Sequence, residues 1–318
     1  MVAFAQSVPG AVLILGGGVP ALAGTELGPR MMVFLQSVLS GVLVGGVYAL
    51  IGIGLTMIFG VMRVTNFAHG ELVMLGMYLT WGLFHWLRLD PFLSIVLVAP
   101  ALFLWGAFLQ RAFVNRVLDA LPQNQILLTI GLGLVMSNGV MLAFTSDYRI
   151  LTTSYSSASY DLAGISVSKP LLYAFLVTVA ITVLLYGFLL RTDTGQAIRA
   201  TAQDREAAQL MGINVRWTSM LAFGIGAALA GAAGALISPT YYIFPQVGSA
   251  FTLKAFVIVV LGGMGSVVGA TLGGVIIGLT ESLAAVYIAG GLKDLVVFVL
   301  FLALLVFKPS GLLGKTRA

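Results

Sequence analysis

Six runs without a single Asp, Glu, Lys or Arg occupy residues 31–62, 91–110, 120–146, 170–190, 217–253 and 255–280. A helix rises 1.5 Å per residue, so about 20 apolar residues cross the hydrocarbon core of a bilayer. Every run meets that length. A membrane-spanning strand would read as a short segment alternating between lipid-facing and lumen-facing residues, which these continuous runs do not. The fold class that follows is all-α, a polytopic transmembrane helical bundle. Composition agrees: 59% of residues are hydrophobic and 8% charged, with mean hydropathy +1.06, against roughly a quarter charged in soluble domains. The net charge of +5 is spread over sixteen basic residues near helix ends. They form no patch of the kind phosphate binding needs, so membrane lipid rather than nucleic acid is the expected surrounding. With no cysteine in the chain, disulfides, thiolate metal sites and cysteine nucleophiles are excluded.

Spans placed at 33–59, 67–86, 91–113, 125–145, 169–190, 217–238, 250–262, 269–289 and 293–307 give about eight to nine crossings. The thirteen residues of 250–262 are short for a crossing, and discontinuous or re-entrant helices are expected near 60–70 and 260–270. If the Arg191–Arg216 loop is cytoplasmic, ten basic residues fall inside and six outside, which puts the C-terminus in the cytoplasm and the N-terminus outside. Residues 1–30 read as an extension of unclear role, disordered or arising from a mis-called start, rather than a cleaved signal or a first helix. Residues 31–318 form a single transmembrane domain. Small residues recur four apart, as in Gly41/Gly45, Ala230/Gly234 and Gly274/Gly278, and such faces let helix backbones approach closely in lipid. The glycines of "GGMGSVVG" at 262–269 lack a phosphate-loop lysine, so they are read as a bend or a close helix contact.

The loop "RTDTGQAIRATAQDREAAQLMGINVR", 191–216, carries seven charged residues in 26. A helix is expected over 196–211, capped by Thr194, ended by Gly212 and followed by Asn214 as a turn former. Its face of Ala197, Ala200, Ala207, Ala208 and Met211, edged by Arg199, Asp204, Arg205 and Glu206, suits docking into a partner's groove; a solvated helix linking two spans has the same pattern.

The segment "EAAQLMG" fits the EAA-x-x-x-G core by which membrane subunits of ABC importers contact their ATPases. Together with "GVYALIGIGLTMIFGVMRVTNFAHGELVMLGMY", "KAFVIVVLGGMGSVVGATLGGVIIGLTESL" and "FKPSGLLG", it makes the chain resemble the LivH-type permeases of branched-chain amino-acid ABC transporters from about Phe34 to Gly314. The resemblance implies a multi-pass permease of the bacterial inner membrane. It would pair with a LivM-type permease, sit on two ABC ATPase subunits and receive cargo from an extracytoplasmic amino-acid-binding protein. A coupling helix at about 194–213 would act through Asp204, Glu206, Ala207, Ala208 and Gly212. The chain would be the translocation subunit and no enzyme itself, with no cofactor of its own; ATP and magnesium would belong to the partner ATPases.

Ionisable groups inside spans are costly, so each is read first as functional or paired. Asn66, His69, Glu71 and Glu281 are the candidates for pathway or gate. For Glu71 the alternatives are an interfacial carboxylate paired with Arg63 or bonded to His69, and a direct part in the pathway. For Glu281 they are a hydrogen bond between packed helices and a cargo contact. The one other histidine is His85, sixteen residues on, which leaves no metal set and no catalytic triad. The sequence T-N-F-A-H-G combines a helix start with a glycine that permits a bend. An apolar sleeve suits leucine, isoleucine or valine; urea or a short-chain amide is the alternative cargo, and an ion-coupled secondary transporter the alternative class.

Overall fold

The computed structural model describes residues 28–162, 164–308 and 310–314. Most of the extension assigned to 1–30 therefore lies outside the described residues, and Pro29 and Arg30 belong to the first helix. The order is α1 (Pro29–Met62), α2 (His69–Leu87), α3 (Pro91–Ala112), α4 (Pro122–Phe144), a hairpin of β1 (Ser159–Leu162) and β2 (Ile165–Ser168), α5 (Lys169–Arg191), α6 (Asp193–Gln203), α7 (Arg205–Leu210), α8 (Val215–Ile237), α9 (Val247–Gly262), α10 (Val267–Tyr287) and α11 (Lys293–Phe307). Seven of these are long and apolar enough to cross a membrane: α1, α3, α4, α5, α8, α10, and α11 counted with the 3-10 turn before it. The remaining two of the nine expected spans are α2, which opens on His-Gly-Glu, and the 16-residue α9; both are largely buried among the others.

Local chemistry sets the starts. Proline occupies the first turn of α1, α3, α4 and α5, where its missing N–H costs nothing. The side chains of Asp90, Asn214 and Ser266 accept from backbone N–H groups at the starts of α3, α8 and α10; such caps contribute about 1 kcal/mol each.

The small-residue spacing produces the central seam. α1 and α10 pack antiparallel: a Cβ on Gly45 would lie 2.8 Å from both Gly274 O and Val275 Cα, and one on Gly41 would lie 2.8 Å from Leu279 Cα. On α8, Gly226 faces Gly54 of α1, Gly231 lies between Leu102 of α3 and Gly76 of α2, and Gly234 faces Val73 and Met77 of α2. The Gly-rich turn both bends and packs, because Gly263 and Gly265 have φ of +98° and +87° while Gly262 and Gly269 abut. The chain after α11 returns to close this corner, with Leu312 and Leu313 N–H donating to the carbonyls of Leu261 and Gly262 at 2.8 and 3.1 Å.

Three expectations change. The helix expected over 196–211 is two helices meeting at Asp204, whose backbone is extended (φ −150°, ψ 112°). Thr192 rather than Thr194 caps the first, and Asn214 caps α8 instead of merely turning the chain. Lys254, counted among the basic residues outside although it falls within the span at 250–262, lies on α9, which begins three residues earlier than expected and largely buries that side chain. The loop at 145–168 contains an antiparallel hairpin, Ser159 opposite Ser168 and Leu162 opposite Ile165. It is held to the bundle by Tyr155 Oη donating to Asp90 Oδ2 at 2.6 Å, and burial together with the Asp90 carboxylate raises the Tyr155 phenol pKa.

Candidate functional site

α1 and α2 are not joined by a simple turn. α1 ends at Met62, yet His69, the first residue of α2, places Nε2 3.0 Å from the carbonyl oxygen of Ile51. Ile51 lies eleven residues before the end of α1, a climb of about 16 Å at helical rise. The non-helical residues 63–68 cover that distance by running back along α1, so α2 starts deep inside the bundle.

Irregular backbone at that depth has to be satisfied by protein or face a cavity, and several of its bonds can be traced. The Asn66 side chain accepts from Ala68 N–H at 3.1 Å. Thr129 of α4 accepts from Phe67 N–H at 3.3 Å and shares its one hydroxyl proton between Thr65 O at 3.2 Å and Ile126 O in its own helix at 3.0 Å. Thr252 of α9 accepts from Gly70 N–H at 3.0 Å and donates to Phe67 O at 3.3 Å. Gly70 supplies no bend. It sits inside α2, and a side chain there would collide with Gly248 O and the Thr252 backbone.

Three polar side chains remain incompletely used at this start. A carbonyl only accepts, so His69 Nε2 carries the proton, and Nδ1 is buried without a partner, as are Asn66 Nδ2 and Glu71 Oε2. Glu71 is 7% exposed, with Cγ 3.5 Å from where a Cβ on Gly133 would lie, midway along α4. It is a buried carboxylate. Among the described residues it pairs with neither Arg63 nor His69, because Arg63 stays exposed at the end of α1 and His69 turns toward Ile51. Buried polar atoms are nearly always bonded to protein or water, and three of the nine left without a protein partner among the described residues fall within the six residues 66–71.

Glu281 stands apart from that group. Its Oε2 receives Lys254 at 2.8 Å and its Oε1 receives Lys293 at 2.7 Å. Lys254 also donates to Tyr48 Oη at 3.1 Å, and Tyr48 shares a 2.7 Å hydrogen bond with Tyr241. The network joins α1, α9, α10, α11 and the chain after α8. Lys254, Lys293, Tyr48 and Tyr241 were not singled out in the sequence, although a lysine inside "SAFTLKAFVIVV" was a signal available there.

At the α6–α7 elbow, Asp204 Oδ1 accepts from both Glu206 and Ala207 N–H at 3.0 Å, and Gly212 ends the turn at φ +83°. Ala208 packs inward, while Glu206, Ala207 and Gly212 are exposed. Leu210 and Met211 stand 88% and 82% exposed at the tip. Leu210 was missed because it lies off the alanine face that a continuous helix would present. Among the described residues no group of three His, Asp or Glu side chains could hold a metal ion.

The family described as "Branched-chain amino acid transport system / permease component" matches residues 37–305. This chain belongs to that family. The permease is 33% identical over 300 residues to the high-affinity branched-chain amino acid transport system permease protein BraD of Pseudomonas aeruginosa, covering 90% of this chain and 98% of that one. It is 33% identical over 307 residues to the corresponding LivH of Salmonella typhimurium, 90% and 97%. It is also 32% identical over 166 residues to LivM of Escherichia coli, the match covering 47% of this permease and 36% of that protein. No solved structure matches it.

Proposed function

We propose that this permease is the translocation subunit of an ABC importer that carries branched-chain amino acids across the bacterial inner membrane. Its C-terminus and the α6–α7 elbow face the cytoplasm and its N-terminus lies outside. It pairs with a LivM-type permease, docks on two ATPase subunits and accepts cargo from an extracytoplasmic amino-acid-binding protein. ATP and magnesium are handled by the ATPases, and this chain carries no cofactor.

The observation that carries the reading is the elbow. A two-turn helix that exposes Leu210 and Met211 almost fully, with Asp204 capping it and Gly212 ending it, is costly in water unless a partner covers it. Asp204, Glu206, Ala207, Ala208 and Gly212 form the coupling element on this reading, and Asn66, His69 and Glu71 are the pathway or gate residues, while Glu281, with both oxygens taken by lysines, joins packed helices. The relatives BraD and LivH, named for branched-chain amino-acid transport, support that cargo over urea or a short amide.

The test is reconstitution of the permease with its partners in liposomes and measurement of uptake. Leucine, isoleucine or valine should enter only when binding protein and ATP are both supplied. Uptake driven by an ion gradient without ATPases, or urea preferred to leucine, would overturn the reading.

A further inference from the structure

A cavity of about 670 Å³ opens at the elbow end of the bundle, beneath the buried start of α2. Its walls include the end of α1 and three further parts of the chain. Arg63 and Thr65 belong to the returning segment, Gln125 and Ile126 to α4, and Asp204 to Glu206 to the elbow. Among the described residues neither Arg63 nor Arg205 has an ion-pair partner.

The α4 wall continues inward in steps of about one turn. Gln125 and Ile126 line the cavity, Thr129 holds Thr65 and Phe67, and Gly133 faces Glu71. The cavity and the buried carboxylate are thus two ends of one seam, closed between them by the Thr129 hydrogen bonds. Both arginines line the cavity, whereas Glu71 with its unpartnered Oε2 lies at the other end of the seam. An amino-acid zwitterion carries one charge of each sign. The cavity offers both signs as well, Arg63 and Arg205 for its carboxylate and Asp204 and Glu206 for its ammonium, and Val61, Met62 and Ile126 supply an apolar wall for a branched side chain.

We propose that this cavity is the inner vestibule of the transport pathway, where Arg63 and Arg205 hold the carboxylate of the departing amino acid while Thr129 closes the seam to Glu71. The assignment rests on the importer reading above. It adds a binding site for the α-carboxylate of the cargo and makes the ATPase-docking elbow one wall of that site, so displacement of α7 reshapes the exit directly.

The chain's lack of cysteine makes Ile126→Cys a single-site reporter within this subunit, read on its own band after the assembled transporter is separated, and Gln196→Cys, exposed on α6 outside the cavity, its control. Both are labelled from the cytoplasmic side in nanodiscs with a membrane-impermeant maleimide. Leucine at about four times its dissociation constant should slow labelling of the reporter roughly fivefold by simple occupancy. It should leave the control unchanged. The carboxylate-only analogue 4-methylpentanoate should protect at a higher concentration, and leucinamide should not. Replacing both arginines by alanine should abolish protection, and Arg63→Lys with Arg205→Lys should retain part of it; recovery of intact complex is checked for each. Labelling indifferent to leucine while ATP-driven leucine uptake proceeds, equal protection by the amide, or protection that survives loss of both arginines overturns the vestibule. Absence of leucine uptake by the parent complex overturns the importer reading instead, which separates the two failures.

Discussion

Gly45→Ala tests whether the α1–α10 seam holds the bundle together. The added Cβ would lie 2.8 Å from Gly274 O and Val275 Cα and 3.1 Å from Val275 O. All three are backbone atoms of one helix, so no side chain can swing aside. Relief requires α10 to move away by most of an ångström, and the same movement loosens the neighbouring contacts of Gly41 and Gly278. Overpacking costs about 1–3 kcal/mol, and the rigid wall places this site toward the top of that range. Alanine returns up to about 1 kcal/mol of helix propensity relative to glycine. The net loss is about 2 kcal/mol, equivalent to roughly 4–8 °C in melting temperature. Gly187→Ala on α5 is the control, since a Cβ there meets nothing within 4 Å; it should melt at or slightly above the parent. Both variants are melted in detergent with tryptophan fluorescence as the readout. A Gly45→Ala protein that melts with the Gly187→Ala control would refute the claim that close backbone approach stabilises this seam.

Leu210→Asp combined with Met211→Asp should abolish co-purification with the ATPases while the melting temperature stays within about 1 °C, because both side chains are almost wholly exposed; retained association would remove the docking role. Gly212→Val should also weaken association, since a β-branched residue at φ +83° is strained by about 1–2 kcal/mol, and Gly212→Asn should be milder. Glu281→Gln leaves Lys254 and Lys293 without their carboxylate. Breaking a buried ion pair on one side costs about 3–5 kcal/mol, and the lower end is expected because Lys254 keeps Tyr48 and Asp294 within reach. Adding Lys254→Met to Glu281→Gln should recover part of the lost melting temperature, and purely additive losses would mean that the two charges do not stabilise one another.

Much of the architecture was legible because lipid imposes few choices. The charge-free runs located the spans to within a few residues, and the four-residue glycine spacing identified faces that pack, as Gly41 and Gly45 do against Gly274 and Gly278. What escaped was long-range placement. Nothing in "VMRVTNFAHGEL" states that residues 63–68 climb back along α1, because the partners that satisfy them, Thr129, Thr252 and Ile51, lie far away in the chain. The break at Asp204 escaped for the opposite reason. It is local, but Asp is compatible both with a helix surface and with an N-cap, and the alanines on either side favour helix throughout. Lys254 counts as an outside charge when only its sign is read, because its two acidic neighbours come from α10 and α11, 27 and 40 residues further along the chain.

The same contacts separate a stiff part of the molecule from a loosely held one. α1, α8, α10 and the deep start of α2 meet through glycines whose neighbours are backbone, so those helices cannot slide apart without losing contact along the whole seam. α4 buries only Thr129, Gly133, Met136 and Val140, one stripe at three- and four-residue spacing. Thr129 and Gly133 meet the returning segment and Glu71, while Phe144 beyond them stacks near Tyr78 and Trp81. Opening the bundle along this stripe costs two neutral hydrogen bonds at Thr129, about 1 kcal/mol each, together with a narrow apolar contact. Opening it anywhere in the glycine seam costs far more. A transporter must expose its interior to each side in turn, so the cheapest joint in the chain is the one where motion is expected, and the three unpartnered polar atoms of Asn66, His69 and Glu71 lie beside that joint.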